Sequence, residues 1–465
     1  MTLPPAPRLP RAATLVAVLV ALAAALGLAA GRAQEPPPSQ PPAPPATGAP
    51  GQPGGDVTLE LRRNQRPLIR LAIPAFGGLP ALAGDSAAAG REVDETLRRD
   101  LDLSRYFEIQ GPAELAALHL SGDPARDRDQ YRSTGNDVLL AGELKNEGDK
   151  LVFEGRLFDL KSGQTILAKR YRGPYTVSRR MAHTFADEVI KYLTGGRGIA
   201  STTIAFTSDR TGHKEIFLMD YDGANQHQIT AHRSTSMSAA WSPAGDAIAY
   251  TSFVNGPPGI YEVELASGKK RPLVTSGTLN ISPSFSPDGS HIVFSRSVNG
   301  NIEIFTADKS GGGLRRLTHS DAIDTNPAWS PKGGDIAFTS SRAGSPQIYL
   351  MDADGANLRR LSFEGTYNDG AAWSPDGDLI AYTSRRDNQF QIAVTNIVTL
   401  ETRVLTTGPG ENQAPTFAPD GRKIAFTSSR GGSKQIYVMG LDGGNLRKLT
   451  SAGQNDLADW SRLMP

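Results

Sequence analysis

Six isoleucines, Ile204, Ile248, Ile292, Ile336, Ile380 and Ile424, follow one another at a constant step of 44 residues. A second set keeps the same step (Ile216, Ile260, Ile304, Ile348, Ile392, Ile436), and so does Ile229, Leu273, Leu317, Leu361, Leu405 and Leu449. A period of this length held over six copies means one supersecondary unit repeated, and excludes a fold built on a single irregular core. Within a unit, Pro327–Ser330 reads as a short strand and Pro331-Lys332-Gly333-Gly334 as a tight turn. Asp335–Ser340 and Gln347–Met351 are the second and third strands, and Leu358–Leu361, after the turn at Asp354-Gly355, is the fourth. Four short antiparallel strands per repeat make a blade of a β-propeller.

A solenoid would leave open ends, whereas this array has a device for closing a ring. The aromatic of the first strand recurs at Trp241, Phe285, Trp329, Trp373, Phe417 and Trp460, yet no equivalent precedes Ile204. The repeats therefore begin at a second strand and end with a first strand. Asp456–Ser461 is expected to pair beside residues 202–208. The four tryptophans all fall in this column, where large aromatic faces pack between blades.

Strand alternation sorts the loops onto two faces. Ser-Pro-Asp-Gly and the turns at Asp222-Gly223, Asp354-Gly355 and Asp442-Gly443 lie on one. The Asp-x-Asp-Gly at Asp220 and Asp352 resembles the start of a calcium loop but lacks the later glutamate, so it reads as turn chemistry. On the opposite face, five residues before each aromatic, stand Ser236, Asn280, Asp324, Asn368, Asn412 and Asn455. This short polar column is expected to ring the mouth of the central channel. Its side chains could cap their own loops or present donors and acceptors to a ligand, and the two roles are compatible. Arg210, Arg342, Arg386 and Arg430 share one repeat position on that face, replaced by Val254 and Val298 elsewhere. Solvated loop arginines are the expected reading, with a charge asymmetry that could orient a partner.

Ahead of the repeats, residues 57–196 mix helix and strand patterns without repetition: strands at Pro67–Phe76 and Tyr106–Ile109, helices at Glu92–Leu103, Ala113–Leu120 and Met181–Leu193, and three strand-like runs within Val138–Tyr171. This is a small α/β domain without a phosphate-binding glycine loop or paired-histidine motif. The expected architecture is thus multidomain, a small α/β domain followed by a six-bladed propeller over residues 199–465.

Residues 1–33 read as a secretory signal peptide: Arg8 and Arg11, an apolar run Leu15–Ala30, then Gly31-Arg32-Ala33. A retained membrane anchor is the rival, although 16 residues is short for a span of about 20. Residues 34–56 are a proline-rich flexible segment, nine of the eighteen residues Pro36–Pro53 being proline, a spacer or a proline-recognition ligand. After it, Val57, Leu59 and Leu61 alternate with polar residues as in a strand that pairs within its domain or joins a partner's sheet edge. The chain of 465 residues has no cysteine, which removes disulfides, lipoprotein processing and thiol catalysis. Its 49 basic and 48 acidic residues leave a charge of +1, against a nucleic-acid partner.

Repeats of the form Pro-Ala-Trp-Ser-Pro…Ile-Ala-Phe-Thr-Ser…Ile-Tyr…Met-Asp…Asp-Gly-x-Asn, with the export signal, the α/β domain and the final Trp460-Ser461, resemble the TolB family. The resemblance covers residues 57–465. It implies a non-enzymatic periplasmic adaptor of the Tol-Pal envelope system, without cofactor or metal. Its partners would be the peptidoglycan-associated lipoprotein Pal at the channel mouth and TolA at the N-terminal segment, with other outer-membrane proteins or colicins as further possibilities. The implied roles are outer-membrane integrity and envelope constriction in cell division, with membranes reached through partners only. Carried onto this chain, the Pal contacts fall at Leu279, Asn280, Ser282, Asp324, Thr325 and Asn326, and the TolA segment at Asp56–Arg62. Here the chain departs from the family, because the proline-rich extension precedes that segment.

The repeats alone also resemble propellers of prolyl-oligopeptidase-like enzymes. A hydrolase needs a Gly-x-Ser-x-Gly elbow, which is missing, and the seven histidines form no His-Glu-x-x-His. Direct binding of a glycan or peptidoglycan fragment is the other alternative, disfavoured because every tryptophan is assigned to the blade core.

Overall fold

A computed structural model describes residues 67–123 and 126–463. The stretch read as a signal peptide, the proline-rich segment and Val57, Leu59 and Leu61 lie outside the described residues.

The α/β portion is a five-stranded sheet in the order Phe107–Gln110, Ile69–Ala72, Val138–Glu147, Lys150–Asp159, Thr165–Pro174. The first three strands are parallel and the last three form an antiparallel meander. Gly148 and Gly163 turn the two hairpins at positive φ of 68° and 76°. Helices Gly84–Ser104 and Ser178–Thr194 cover one face, burying Val93, Leu97, Leu101, Phe185 and Val189 at helical spacing. The second helix stops where Gly195 takes a left-handed conformation and its N–H returns to the Lys191 carbonyl. Gly155 decides how closely that helix sits: a Cβ there would lie 2.3 Å from the Phe185 ring.

Two expectations need correction. The first helix is longer than Glu92–Leu103, starting at Gly84. Ala113–Leu120 forms turns rather than a helix: Leu115 is its one fully buried side chain, too narrow a stripe to hold a short helix. A six-residue helix, Arg128–Ser133, lies beyond it.

The rest is a six-bladed propeller, each blade a four-stranded antiparallel sheet. The blade that closes the ring combines Asn455–Trp460 with Thr203–Ser208, Glu215–Asp220 and His227–Gln228, as the phase offset predicts. Trp460 pairs with Ile204 and donates from its indole to the Thr202 hydroxyl at 2.8 Å. Second to sixth blades start at Ser236, Asn280, Asp324, Tyr367 and Asn412. Phe206, Tyr250, Phe294, Phe338, Tyr382 and Phe426, again 44 residues apart, are completely buried within them. Of the aromatic column, Trp329 and Trp373 are half-buried and the other four buried. Trp373 and Trp241 donate to backbone carbonyls of the preceding blade, Ala328 and Asp459.

The two parts share a core that runs from Leu101 and Phe185 through Ile199 and Ile204 to Tyr221 and Trp460. A buried polar network crosses the same junction. Arg179 donates to Asp220 at 3.0 Å and to Asp222 at 2.9 Å, His183 Nδ1 lies 2.6 Å from Asp100, and the Tyr221 hydroxyl donates to Asp100 at 2.9 Å. Asp220, read from sequence as turn chemistry only, therefore also holds the α/β portion. Asp352, its repeat mate, receives Asn357 within its own turn.

Candidate functional site

The innermost strands, Ser236–Trp241, Asn280–Phe285, Asp324–Trp329, Tyr367–Trp373, Asn412–Phe417 and Asn455–Trp460, touch in a closed ring and wall the channel. Each carries a bulge at its mouth end. The bulged residue, two past the Asx column, is left-handed in every blade: Ser238, Ser282, Asn326, Gly370, Ala414 and Leu457. Five of these N–H groups donate to a hydroxyl of the preceding blade, for example Ser282 to Thr251, Asn326 to Ser295 and Leu457 to Thr427, at 3.1, 3.1 and 3.2 Å. For Ser238 no such bond forms, and the corresponding Thr207 hydroxyl is buried without a partner.

The Asx column does not stand in the channel. Ser236, Asn280, Asp324, Asn368, Asn412 and Asn455 are all completely buried, and five of them cap loops or lock arginines. Asn455 accepts from Arg210, Asp324 from Arg342 and Asn412 from Arg430, each at 2.9 Å. Asn280 accepts from Arg296, and Ser236 meets Ser252. The arginine column is thus not merely solvated: Arg210, Arg342 and Arg430 stack on Phe217, Tyr349 and Tyr437 while they clamp the Asx residue.

The fifth blade departs from this pattern. Arg386 turns away to Glu364, and Asn368 donates to Gln347 and to the Glu364 carbonyl. Asn368 Oδ1, Ser384 Oγ and Arg386 Nε, the three atoms whose counterparts bond one another in the sixth blade, are buried without partners. Gly365 fills the space: a Cβ on it would stand 2.6 Å from Ser384 Oγ. Asp324 Oδ1 in the fourth blade is likewise unpartnered, and burial pushes the Asp324 carboxyl up against the pull of Arg342.

Of the other sequence candidates, Leu279 is buried, while Ser282, Thr325 and Asn326 are half-buried. The structure joins two of them and adds residues that sequence reasoning missed. The Ser282 hydroxyl donates to Asn326, whose amide donates to Asp369, both at 2.8 Å. Asp369 also accepts from Thr339 and Tyr367, and Tyr367 meets Phe390 edge to face. A chain of polar groups thus spans the third to fifth blades, beside hairpins longer there (His291–Asp308 and Leu379–Asn396) than in their neighbours. Such a face can engage protein backbone and side chains. Among the described residues no group of three or more His, Asp or Glu side chains is placed to hold a metal ion, and no helix is long and apolar enough to cross a membrane.

The sequence matches the TolB beta propeller domain over residues 190–413 and 394–462 and the TolB amino-terminal domain over 57–166. It is similar to the Tol-Pal system protein TolB of Geobacter sulfurreducens, 39% identical over 161 residues, or 35% of this chain and 37% of that protein. The TolB homolog of Chlorobium chlorochromatii is 35% identical over 188 residues, 40% of this chain and 42% of that one. These matches span well under half the length of either relative. Among solved structures, TolB from Acinetobacter baumannii aligns at a TM-score of 0.72 with 27% identity, covering 85% of this chain and 97% of that one. With both domain signatures in order, and a propeller signature that alone covers more than half of its length, the chain belongs to the TolB family.

Proposed function

We propose that this chain is a periplasmic adaptor of the Tol-Pal system, non-catalytic, that holds Pal at the channel mouth and presents residues 57–61 to TolA. It would thereby serve outer-membrane integrity and constriction during division. Family membership supports the system, and one observation supports the face. Polar groups within reach of a partner gather at the mouth of the third to fifth blades: Ser282, Thr325, Asn326 and Asp369 are half-buried, and Ser282, Asn326 and Asp369 are joined by hydrogen bonds. A partly exposed chain of donors and acceptors is what the polar part of a protein interface uses.

The test uses half-buried Thr325 rather than Asp324, whose complete burial makes a bulky replacement a folding defect. Thr325→Trp is expected to weaken Pal binding at least about tenfold with an unchanged melting temperature. Deleting residues 34–62 is expected to abolish TolA capture and leave Pal capture intact. Unchanged Pal affinity in folded Thr325→Trp removes this patch from the interface, and equal loss of both partners on truncation contradicts the division of labour.

A further inference from the structure

On the turn face opposite the mouth, a cavity of about 360 Å³ opens between the second and third blades, within the range that small-molecule sites occupy. The repeats show that it is built by departures from the pattern. Ala244 stands where later blades carry Asp288, Lys332, Asp376 and Asp420, and Ala247 where others carry Thr203, His291, Asp335, Leu379 and Lys423. These two small side chains make the room. Two more departures bring charge of opposite sign. Glu262 occupies a third-strand position held elsewhere by Leu218, Thr306, Leu350, Val394 and Val438. Lys309 occupies one held by Tyr221, Leu265, Ala353, Ile397 and Leu441. All four line the same cavity.

Glu262 is only 7% exposed. Its Oε1 receives Arg271 at 2.7 Å, but Oε2 is buried with no partner. Holding the arginine does not explain the glutamate, since Arg315 and Arg447 of the same column manage with backbone carbonyls of the next blade. Asp288 is occupied by Ser286 and Ser290, and Asp246 by Ser242. Lys269 and Lys309 make no side-chain hydrogen bond or ion pair among the described residues. The wall therefore keeps one buried carboxylate oxygen without a partner and two unpaired ammonium groups, while Glu264, the remaining carboxylate, accepts from Ser267.

We propose that this cavity binds a small zwitterion, an amino acid or short peptide with free termini, its ammonium toward Glu262 and its carboxylate toward Lys309 and Lys269. The site is independent of the mouth face.

Titration calorimetry of the full chain with glycylglycine tests it. A saturable dissociation constant of about 1 mM or tighter is expected, with N-acetylglycylglycine and glycylglycinamide each at least about tenfold weaker. Glu262→Leu and Lys309→Leu install residues that other blades carry at these positions, and each is expected to weaken glycylglycine at least about tenfold. Lys309 is exposed, so its variant keeps the test open should Glu262→Leu fail to fold. Absence of saturable binding up to about 20 mM overturns the proposal. So does equal binding of the two capped peptides, or unchanged affinity in the folded Lys309→Leu protein.

Discussion

At the scale of single residues, arginines in one repeat column have different energetic roles according to what they face. Arg342 clamps Asp324, which is completely buried, whereas Arg386 meets Glu364, whose side chain is 58% exposed. Removing one partner of a buried pair strands a charge and costs about 3 kcal/mol, while an exposed pair contributes under about 1 kcal/mol. Urea denaturation is therefore expected to show Arg342→Ala strongly destabilised and Arg386→Ala nearly neutral. The sequence made this column visible but not this difference. Spacing reports which residues are equivalent, whereas the course of Arg386 depends on Gly365, a loop residue outside the repeat comparison. The buried partners Glu303, Gln347, Gln391 and Gln435, each receiving a Thr or Ser hydroxyl of its own blade, keep the same step of 44 and were legible to the same argument.

Among elements, the closing strand carries the most consequence. Trp460 is buried, bonds to Thr202, and receives a neighbour's support when its N–H donates to the Thr416 hydroxyl. Asp459 accepts the Trp241 N–H, tying the last strand to the second blade as well. Truncating a buried Trp costs about 3–5 kcal/mol. Trp460→Ala is thus expected to lose about 4 kcal/mol in chemical denaturation, and Trp329→Ala, which empties a half-buried position, distinctly less. The closure was readable because it follows from phase alone. The Ala113–Leu120 segment departs from expectation because leucine spacing there suggests a helix, while the cluster that holds Leu115 is built from Ala72, Tyr131, Leu139 and Leu160.

For the whole molecule, the junction between the α/β portion and the propeller is electrostatic as well as apolar. Burial alone would lower the pKa of His183, but Asp100 and Asp220 outweigh it and raise it from 6.5 to about 9. Arg179 and Asp222 complete the charged groups around it. Because the folded value lies above the unfolded one, this contribution is full below pH 6.5 and is lost as pH rises through about 9. About 3 kcal/mol is expected to disappear over that window. Denaturation across the window checks this, and His183→Gln is expected to flatten the profile. None of this was legible beforehand, since His183 and Asp100 sit on different helices of a domain without repeats. Closure by residues 258 positions apart also has a temporal side. During synthesis the first blade waits, with the edge of Thr203–Ser208 bare, until the final segment emerges. An unprotected strand edge invites pairing with another chain, so a nascent or prematurely terminated copy is the form most in need of a chaperone.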